Sequence, residues 1–281
     1  MSIDAFGYEG KRALVVGGAT GMGAAVASLL GELGGEVFVI DVADVDYEVS
    51  RVLRADLRDR ASVDCALDQI GAPIHAVFSC AGVADGTDGL MSVNFVAQRH
   101  IIERLVAHDV LGPGSAVAIV SSVAGLGWYR YLPELRELLE TSGWEAADAW
   151  VLANPDAVGY QFSKRAVDAY VAQSSLSLLR RGIRINGVAP GPTDTPLARA
   201  HAETWLGFGA AYNAAAGVDT LASEQMAYSM AFLCSEAARG VTGTTLLVDN
   251  GQVGSALSGT FDTPSVLERM GVPAVHRPGL A

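Results

Sequence analysis

Short runs of β-branched and other apolar residues alternate with amphipathic stretches along most of this chain, and no other feature restricts its fold as much. Strands that are apolar at nearly every position need cover on both faces, which is typical of parallel sheets between layers of helices. The pattern predicts one α/β domain over residues 1–281, with a doubly wound, seven-stranded parallel sheet and helices on both faces. The predicted strands are 11–16, 36–40, 52–55, 75–79, 116–120, 183–188 and 245–248, and the main predicted helices are 22–33, 62–70, 91–108 and 156–179.

Three segments depart from this alternation. Residues 127–154 form a predicted insertion that holds three of the four tryptophans and two short helices, 133–140 and 144–152. Residues 196–221 form a predicted substrate loop with the fourth tryptophan, and residues 252–281 form a C-terminal extension. The rings of the insertion either wall a pocket for a bulky apolar substrate or pack against helices that form subunit contacts. The extension either covers the pocket or reaches a neighbouring subunit.

Composition and charge exclude several classes of function. The net charge of −12 disfavours binding to nucleic acid or to an anionic membrane, since both need clustered Lys and Arg. No apolar run approaches the roughly 20 residues that span a bilayer, and residues 1–10 lack the pattern of a secretory signal. The three cysteines and five histidines show no metal-ligand spacing. We therefore expect a cytoplasmic protein with reduced thiols, no metal and a small-molecule substrate.

A glycine-rich turn follows the first predicted strand and opens the first helix. Such a turn lets the backbone approach a pyrophosphate and directs free N–H groups and the positive end of the helix dipole toward it. The strand before it and the helix after it strengthen the prediction of a dinucleotide site on a Rossmann fold. The predicted cofactor-binding residues of this turn are Gly17, Ala19, Thr20, Gly21, Met22 and Gly23.

Asp41 ends the second predicted strand, 18 residues beyond Gly23. A carboxylate at this position accepts hydrogen bonds from both hydroxyls of an adenosine ribose and repels a 2′-phosphate. No Arg or Lys lies inside the glycine turn or directly after Asp41. The sequence therefore predicts NAD, rather than NADP, as the cofactor.

Tyr160 and Lys164 stand four residues apart at the start of a predicted helix, so their side chains share one face. A phenol with an unperturbed pKa of about 10 is a poor base at neutral pH, but a nearby ammonium favours the phenolate. Lys164 is one of only two lysines in the chain, the other being Lys11. The pair predicts a proton-transfer site in which Lys164 lowers the pKa of Tyr160 and holds the cofactor ribose.

The glycine spacing G-x-x-x-G-x-G and the Tyr-x-x-x-Lys pair resemble the short-chain dehydrogenase/reductase family, with Val16 where the family has Thr. The resemblance covers roughly residues 10–251. It implies that the Asp56-Leu57 pair holds the adenine and that the backbone of Cys80, Ala81 and Gly82 lies along the cofactor. Residues 79–80 are Ser-Cys where the family has two Asn, which puts a hydrogen bond of the central sheet in doubt.

The same resemblance implies the remaining site residues. Ser122, at the end of the fifth strand, would hydrogen-bond the substrate oxygen, and Ser121 is the alternative candidate for this role. Asn94 would hold a proton-relay water against Lys164. Four residues of the segment after the sixth strand would contact the cofactor, namely Pro190, Gly191, Thr193 and Thr195.

Together these residues predict an NAD-dependent oxidoreductase, acting on CH–OH groups, that interconverts a secondary alcohol and a ketone. The 38 positions between Ser122 and Tyr160 exceed the common family spacing. This resembles the branch of bacterial 3α-hydroxysteroid dehydrogenase/carbonyl reductase and coniferyl-alcohol dehydrogenases, which suggests a hydroxysteroid or another bulky cyclic or aromatic alcohol. The family also implies a homodimer or homotetramer. The alternative function is that of a catalytically silent NAD-binding regulator or scaffold on the same fold.

Overall fold

A computed structural model describes residues 3–71, 73–156 and 158–271. Its strands are β1 (Arg12–Val16), β2 (Glu36–Asp41), β3 (Arg51–Arg54), β4 (Ile74–Ser79), β5 (Leu111–Val120), β6 (Arg184–Pro190), β7 (Thr193–Asp194), β8 (Leu221–Ala222) and β9 (Thr245–Val248). Its α-helices are α1 (Gly21–Glu32), α2 (Arg60–Asp68), α3 (Ala97–Ala107), α4 (Leu132–Leu139), α5 (Trp144–Ala153), α6 (Tyr160–Leu179), α7 (Pro196–Ala200), α8 (Ala202–Trp205), α9 (Gly207–Ala216), α10 (Ser223–Cys234), α11 (Gln252–Ser258) and α12 (Pro264–Met270).

Seven strands form one parallel sheet in the order β3-β2-β1-β4-β5-β6-β9, which confirms the predicted fold class. One face of the sheet packs with α2, α3 and α6 into a large core, and the other packs with α1 and α10. The order reverses between β1 and β4, so the carboxyl ends of these two strands flank the crevice where doubly wound sheets bind ligands.

The element boundaries differ from the predicted ones where local backbone geometry changes. The predicted helix 91–108 begins as a π-helical segment, Ser92–Val96, before α3 continues it. The predicted helix 156–179 begins only at Tyr160, after a fully extended Gly159. Within the described ranges, no helix combines the length and apolarity needed to cross a bilayer, and no three His, Cys, Asp or Glu side chains cluster as metal ligands.

The aromatic rings of segment 127–154 pack against the helices of the core. Trp150 stacks on Phe162 of α6 with ring centroids 5.7 Å apart, and the buried Trp144 meets His100 of α3 edge-on at 5.4 Å. Arg99, also on α3, donates to the carbonyls of Leu138 and Gly143 and so fixes the turn between α4 and α5. The rings therefore pack on helices, as in the second interpretation, whereas a subunit contact of these helices stays a prediction.

The last described helix, α12, rests on the start of the same segment. Gly127 has a φ of +76°, and a Cβ added there would lie 2.3 Å from the carbonyl oxygen of Arg269. Val266 and Leu267 of α12 complete a small separate core with Val123, Val253 and Ala256. The absence of a side chain at Gly127 thus allows the C-terminal segment to lie over the carboxyl end of β5.

We predict that Gly127→Ala releases α12 from this position. The left-handed backbone would cost about 1 kcal/mol in an alanine, and the added methyl group would collide with the Arg269 carbonyl. Hydrogen–deuterium exchange of residues 264–270 should become at least tenfold faster, while β1 and β4 stay protected. Gly31→Ala, where an added Cβ meets nothing within 4 Å, is the matched control. Unchanged exchange in α12 would contradict this account of Gly127.

Candidate active site

The turn between β1 and α1 has the shape of a phosphate cradle. Gly17 has a φ of +79°, and a Cβ there would lie 2.5 Å from the backbone of Ala81. A Cβ on Gly23 would lie 1.9 Å from the carbonyl oxygen of Gly17, so the turn closes only with glycine at both positions. The side chain of Thr20, the N-cap of α1, makes no capping hydrogen bond, and the first turn carries no acidic residue. The N-terminal N–H groups of α1 thus face the cavity with the positive end of the helix dipole.

Asp41 stands beside this cradle at the end of β2. Its Oδ2 accepts the N–H of Ala19 at 2.8 Å, and its Oδ1 accepts that of Ala43 at 2.9 Å. Tyr47 donates its hydroxyl to the carbonyl of Gly18, and burial, with the Asp41 charge next, raises the pKa of Tyr47 to about 12. Asp41 therefore braces the turn and still borders the cavity. Tyr47 was not predicted, because its contact with the turn crosses 29 positions.

Asp56 and Leu57 also border this cavity, but Asp56 has a partner that the sequence did not indicate. Its carboxylate accepts the backbone N–H of Arg58 at 2.9 Å and the guanidinium at 2.6 Å. These hydrogen bonds from Arg58 lower the pKa of Asp56. The guanidinium of Arg58 also lines the cavity, so a cation lies at the adenosine end.

Ser79 and Cys80 stand where the family has two Asn, and a glutamine of α3 supplies hydrogen bonds at this place. Ser79 donates its hydroxyl to the Oε1 of Gln98 at 2.9 Å. The amide of Gln98 then donates to the carbonyls of Ala81 at 2.8 Å and Val93 at 2.9 Å. Gln98 is buried and holds the backbone that the family resemblance places along the cofactor. Cys80 turns its sulfur toward Met230 at 3.9 Å, and burial raises the pKa of its thiol to about 12.

Ser122 and Tyr160 lie together at the carboxyl edge of the sheet. Ser122 accepts the N–H of Ala124 at 3.1 Å, and its hydroxyl hydrogen-bonds the phenol of Tyr160. The neighbouring Ser121 donates to the carbonyl of Lys164 at 3.2 Å and is buried. Of the two predicted serines, Ser122 is the one that hydrogen-bonds Tyr160. Trp205, from α8, packs on the ring of Tyr160 with centroids 4.8 Å apart.

The phenol of Tyr160 is neutral at neutral pH in the protein alone. Burial raises its pKa to about 12, and the Asp85 carboxylate acts in the same direction. A hydrogen bond from Ser122 and the Arg269 guanidinium oppose this by lowering the pKa. Asp85 accepts the backbone N–H of Tyr160 at 2.7 Å and so caps the start of α6. Asp85 and Arg269 are charged residues of the site that no motif indicated.

Lys164 is buried one helical turn beyond Tyr160. Its Nζ donates to the carbonyl of Val120 at 2.9 Å and lies 5.6 Å from the centroid of the Tyr160 ring. Burial lowers the pKa of Lys164 to about 8, against the opposing effect of the Asp168 carboxylate. Asp168 accepts the hydroxyl of Thr245 at 2.9 Å, and burial raises its own pKa to about 6. The four-residue spacing from Lys164 to Asp168 was the available signal for this partner.

Asn94 lies in the π-helical segment and is fully buried. Its Oδ1 accepts the N–H of Val83 at 2.8 Å, and its Nδ2 donates to the Val83 carbonyl at 3.0 Å and to Ser163 Oγ at 3.1 Å. A Cβ on Gly82 would lie 3.8 Å from this Oδ1 and 3.7 Å from Lys164 Nζ. Asn94 and Lys164 therefore flank Gly82, although Asn94 does not line the cavity.

The predicted segment after β6 crosses the site as expected from its sequence position. Thr193 donates to the carbonyl of Gly191 at 2.9 Å, and Thr195 caps α7 by accepting the N–H of Ala198 at 3.0 Å. Thr195 also lies against Gly21 of the glycine turn, so it joins the two halves of the site. Pro190 and Gly191 line the cavity beside Tyr160.

Two cavities, of about 340 and 390 Å³, meet along the sheet edge. The first contains Ser122, Tyr160 and Lys164, and the second contains the glycine turn and Asp41. Their shared lining residues include Met22, Cys80, Gly82 and Thr195. Ala19 and Gly23 line neither cavity and support the turn from behind. No described residue of segment 127–154 lines either cavity, whereas Trp205, Phe208 and Arg269 line the first.

Comparison with known proteins agrees with this architecture. The family described as enoyl-(acyl carrier protein) reductase matches residues 145–252. The chain is 29% identical to coniferyl-alcohol dehydrogenase of Pseudomonas sp. (strain HR199 / DSM 7063), over 86% of this chain and 96% of the relative. It is 28% identical to cis-4-hydroxycyclohexanecarboxylate dehydrogenase of Sinomonas cyclohexanicum, over 87% of this chain and 97% of the relative.

A solved structure gives the same result. The 3α-hydroxysteroid dehydrogenase from Pseudomonas sp. B-0831, complexed with NADH, superimposes with a TM-score of 0.69 at 26% identity, covering 90% of this chain and all of that one. These similarities confirm the resemblance that the motifs indicated: the chain is similar to short-chain dehydrogenase/reductases, a family of oxidoreductases that use nicotinamide cofactors.

We predict that Asp168 keeps Lys164 charged. Asp168→Asn removes a carboxylate that raises the pKa of Lys164, so this pKa should fall from about 8 to a lower value. Because the chain has only two lysines, protein labelled with ¹³C at the lysine ε-carbon gives two resonances, and the Lys11 signal is an internal reference. The exposed Asp109→Asn is the control. A Lys164 midpoint that stays the same or rises would contradict the role given to Asp168.

Proposed function

We propose that this protein is an NAD-dependent oxidoreductase that interconverts a secondary alcohol and a ketone. The observation that carries the proposal is the placement of Tyr160, which shares a cavity with Ser122 and Lys164 and lies next to a glycine cradle shaped for a pyrophosphate. A proton-transfer group, a hydroxyl donor and a cofactor cleft then lie within one continuous space. The chemistry of the family relatives supports the same reaction class.

The residues of the cleft fit a dinucleotide. The N-terminus of α1 would hold the pyrophosphate, Asp41 the adenosine ribose, and Lys164 the nicotinamide ribose. Asp41 is negatively charged where a 2′-phosphate would lie, which supports NAD. Arg58 lies at the same end, but its guanidinium is already paired with Asp56, so its charge is largely neutralised there.

The bound nicotinamide would supply the acceptor for the hydride of the alcohol carbon. Ser122 would donate its hydroxyl to the substrate oxygen and hold it beside Tyr160. Tyr160 would take the hydroxyl proton as the carbon–oxygen double bond forms, and it would return a proton in the reverse direction. Its high pKa in the protein alone means that an added positive charge near the ring is needed for the phenolate to form. Asn94, which bonds the backbone of Val83, would hold the predicted proton-relay water against Lys164.

The walls of the first cavity favour a ring-containing substrate. Val123, Leu197, Trp205 and Phe208 provide apolar surface next to Tyr160. The three compared relatives are named for coniferyl alcohol, a hydroxycyclohexanecarboxylate and a 3α-hydroxysteroid, each of which contains a ring. A bulky cyclic or aromatic alcohol therefore stays the predicted substrate. The single-domain organisation, the cytoplasmic location and the homodimer or homotetramer also stay predictions.

The second candidate, a silent NAD-binding regulator, differs in one measurable property. Such a protein binds NAD without turnover and has no need for a hydroxyl beside the phenol of Tyr160. The hydroxyl of Ser122 beside the phenol of Tyr160 and the buried ammonium of Lys164 favour the enzyme. Absorbance at 340 nm, followed with NAD and a panel of hydroxysteroids, cyclic alcohols and aromatic alcohols, separates the two.

We predict that Tyr160→Phe abolishes turnover and leaves NAD binding intact. Loss of the proton acceptor should lower kcat by about 10²- to 10⁴-fold, the range typical of general acid–base groups. Ser122→Ala should lower kcat in the same direction, and the exposed Tyr129→Phe should have no effect. NAD affinity is measured separately by calorimetry. Unchanged turnover in Tyr160→Phe, with NAD still bound, would refute the proposed mechanism.

We also predict that Asp41→Asn weakens the preference for NAD over NADP. Removing the carboxylate removes its repulsion of a 2′-phosphate and one pair of ribose hydrogen bonds. The ratio of kcat/KM for NAD to that for NADP should fall by about tenfold or more, equivalent to about 1.4 kcal/mol. Steady-state rates with both cofactors measure the ratio, with Asp109→Asn as the surface control. An unchanged ratio would show that Asp41 only braces the turn at Ala19.

A further inference from the structure

Three charged side chains line the first cavity, and none of them makes a salt bridge with a described residue. Lys164 donates to the Val120 carbonyl, and Asp85 accepts the backbone N–H of Tyr160. Arg269, which reaches the cavity from α12, makes no salt bridge with any residue in the described ranges. Residues outside those ranges include no aspartate or glutamate, so the chain has no other carboxylate side chain to offer it.

A second arginine adds to the positive charge behind Arg269. Arg165 is only 8% exposed, its Nε has no hydrogen-bond partner, and its guanidinium lies 3.6 Å from the centroid of the Tyr131 ring. After burial, the charge of Arg165 is the largest influence that lowers the pKa of Arg269. Two partly desolvated cations that repel each other are costly for the fold unless an anion relieves them. The cost is compatible with a site that an anionic ligand completes.

The Arg269 guanidinium is also held in a defined position. It stacks on the ring of Phe208 at 5.1 Å, and the backbone of Arg269 rests on Gly127. Stacking on a ring face leaves the N–H groups at the edge of the guanidinium free, and these match the two oxygens of a carboxylate. Phe208 belongs to the wall of the same cavity as Tyr160.

We propose that the substrate carries a carboxylate that binds Arg269 while its hydroxyl lies between Ser122 and Tyr160. The substrate class is then a cyclic or aromatic hydroxy acid and its keto acid, with the ring against Trp205 and Phe208. This inference rests on the proposed function for the position of the hydroxyl, but carboxylate binding at Arg269 is testable without it. Asp85 faces the same space, where its carboxylate accepts the backbone N–H of Tyr160 and makes no salt bridge with Arg269.

Binding of cyclohexanecarboxylate to the full-length protein tests the anion site directly. Calorimetry, with the quenching of tryptophan fluorescence as a second signal, gives its affinity beside that of the neutral isostere cyclohexanecarboxamide. We expect the carboxylate to bind about 10- to 100-fold more tightly than the amide, the range of a charge-assisted bidentate hydrogen bond. Arg269→Leu should remove this difference, and Arg269→Lys should restore part of it. The exposed Arg239→Leu should leave it unchanged.

Equal affinity for the acid and the amide, or a preference for the acid that persists in Arg269→Leu, overturns the proposal. The latter result would place the anion elsewhere, for example at the N-terminus of α1. Competition by inorganic pyrophosphate would identify that location.

Turnover of 4-hydroxycyclohexanecarboxylate and of its amide separates the failure of this inference from that of the proposed function. We expect Arg269→Leu to lower kcat/KM at least tenfold more for the acid than for the amide. An equal loss for both, with the pH profile of kcat moved to higher pH, would mean that Arg269 acts only on the phenol of Tyr160, and it overturns the proposal. If neither alcohol is oxidised but the acid still binds through Arg269, the redox function fails and the anion site stands.

Discussion

The buried ammonium of Lys164 is the interaction on which the site depends most. It lies at the carboxyl edge of the sheet and donates a hydrogen bond to the carbonyl of Val120. The Asp168 carboxylate, one turn further along α6, counters its charge. Burying an ammonium is costly without such partners, so the end of β5 and the start of α6 are held together by this charge. The same contact sets the distance between Ser122 and Tyr160, because one follows β5 and the other begins α6.

The cofactor half of the molecule could be predicted because its determinants are local. The strand, the glycine turn and α1 are consecutive, and Gly17 and Gly23 must be glycine for the turn to close. Asp41 ends the next strand, and its position follows from its distance in sequence from the glycine turn. The same holds for Tyr160 and Lys164, whose spacing alone places them on one face. Where the fold differed, as at the π-helical start of α3, the difference is a local change of backbone geometry that hydrophobic periodicity does not encode.

The residues that were missed share a different property: their partners are distant in sequence. Gln98 replaces the absent asparagine contacts by bonding the backbone of Ala81, and Tyr47 reaches the glycine turn across 29 positions. Arg269 enters the cavity only because Gly127 lets α12 lie close. The aromatic segment 127–154 shows the reverse. Its rings were compatible with a pocket wall or with packing on helices, because side-chain type alone does not distinguish a ring packed on a helix from one that faces a ligand.

The two halves of the site therefore follow different physical rules. The proposed dinucleotide half is made mostly of backbone, whose N–H groups and turns would recognise a pyrophosphate with little dependence on side chains. The substrate half is made of side chains from α8, α9 and α12, elements that lie outside the sheet and carry Trp205, Phe208 and Arg269. Substitutions in these elements change the shape and charge of the cavity without disturbing the sheet or the Lys164 contact. A charge placed there, such as that of Arg269, can therefore change which substrates fit the cavity, although it also acts on the pKa of Tyr160.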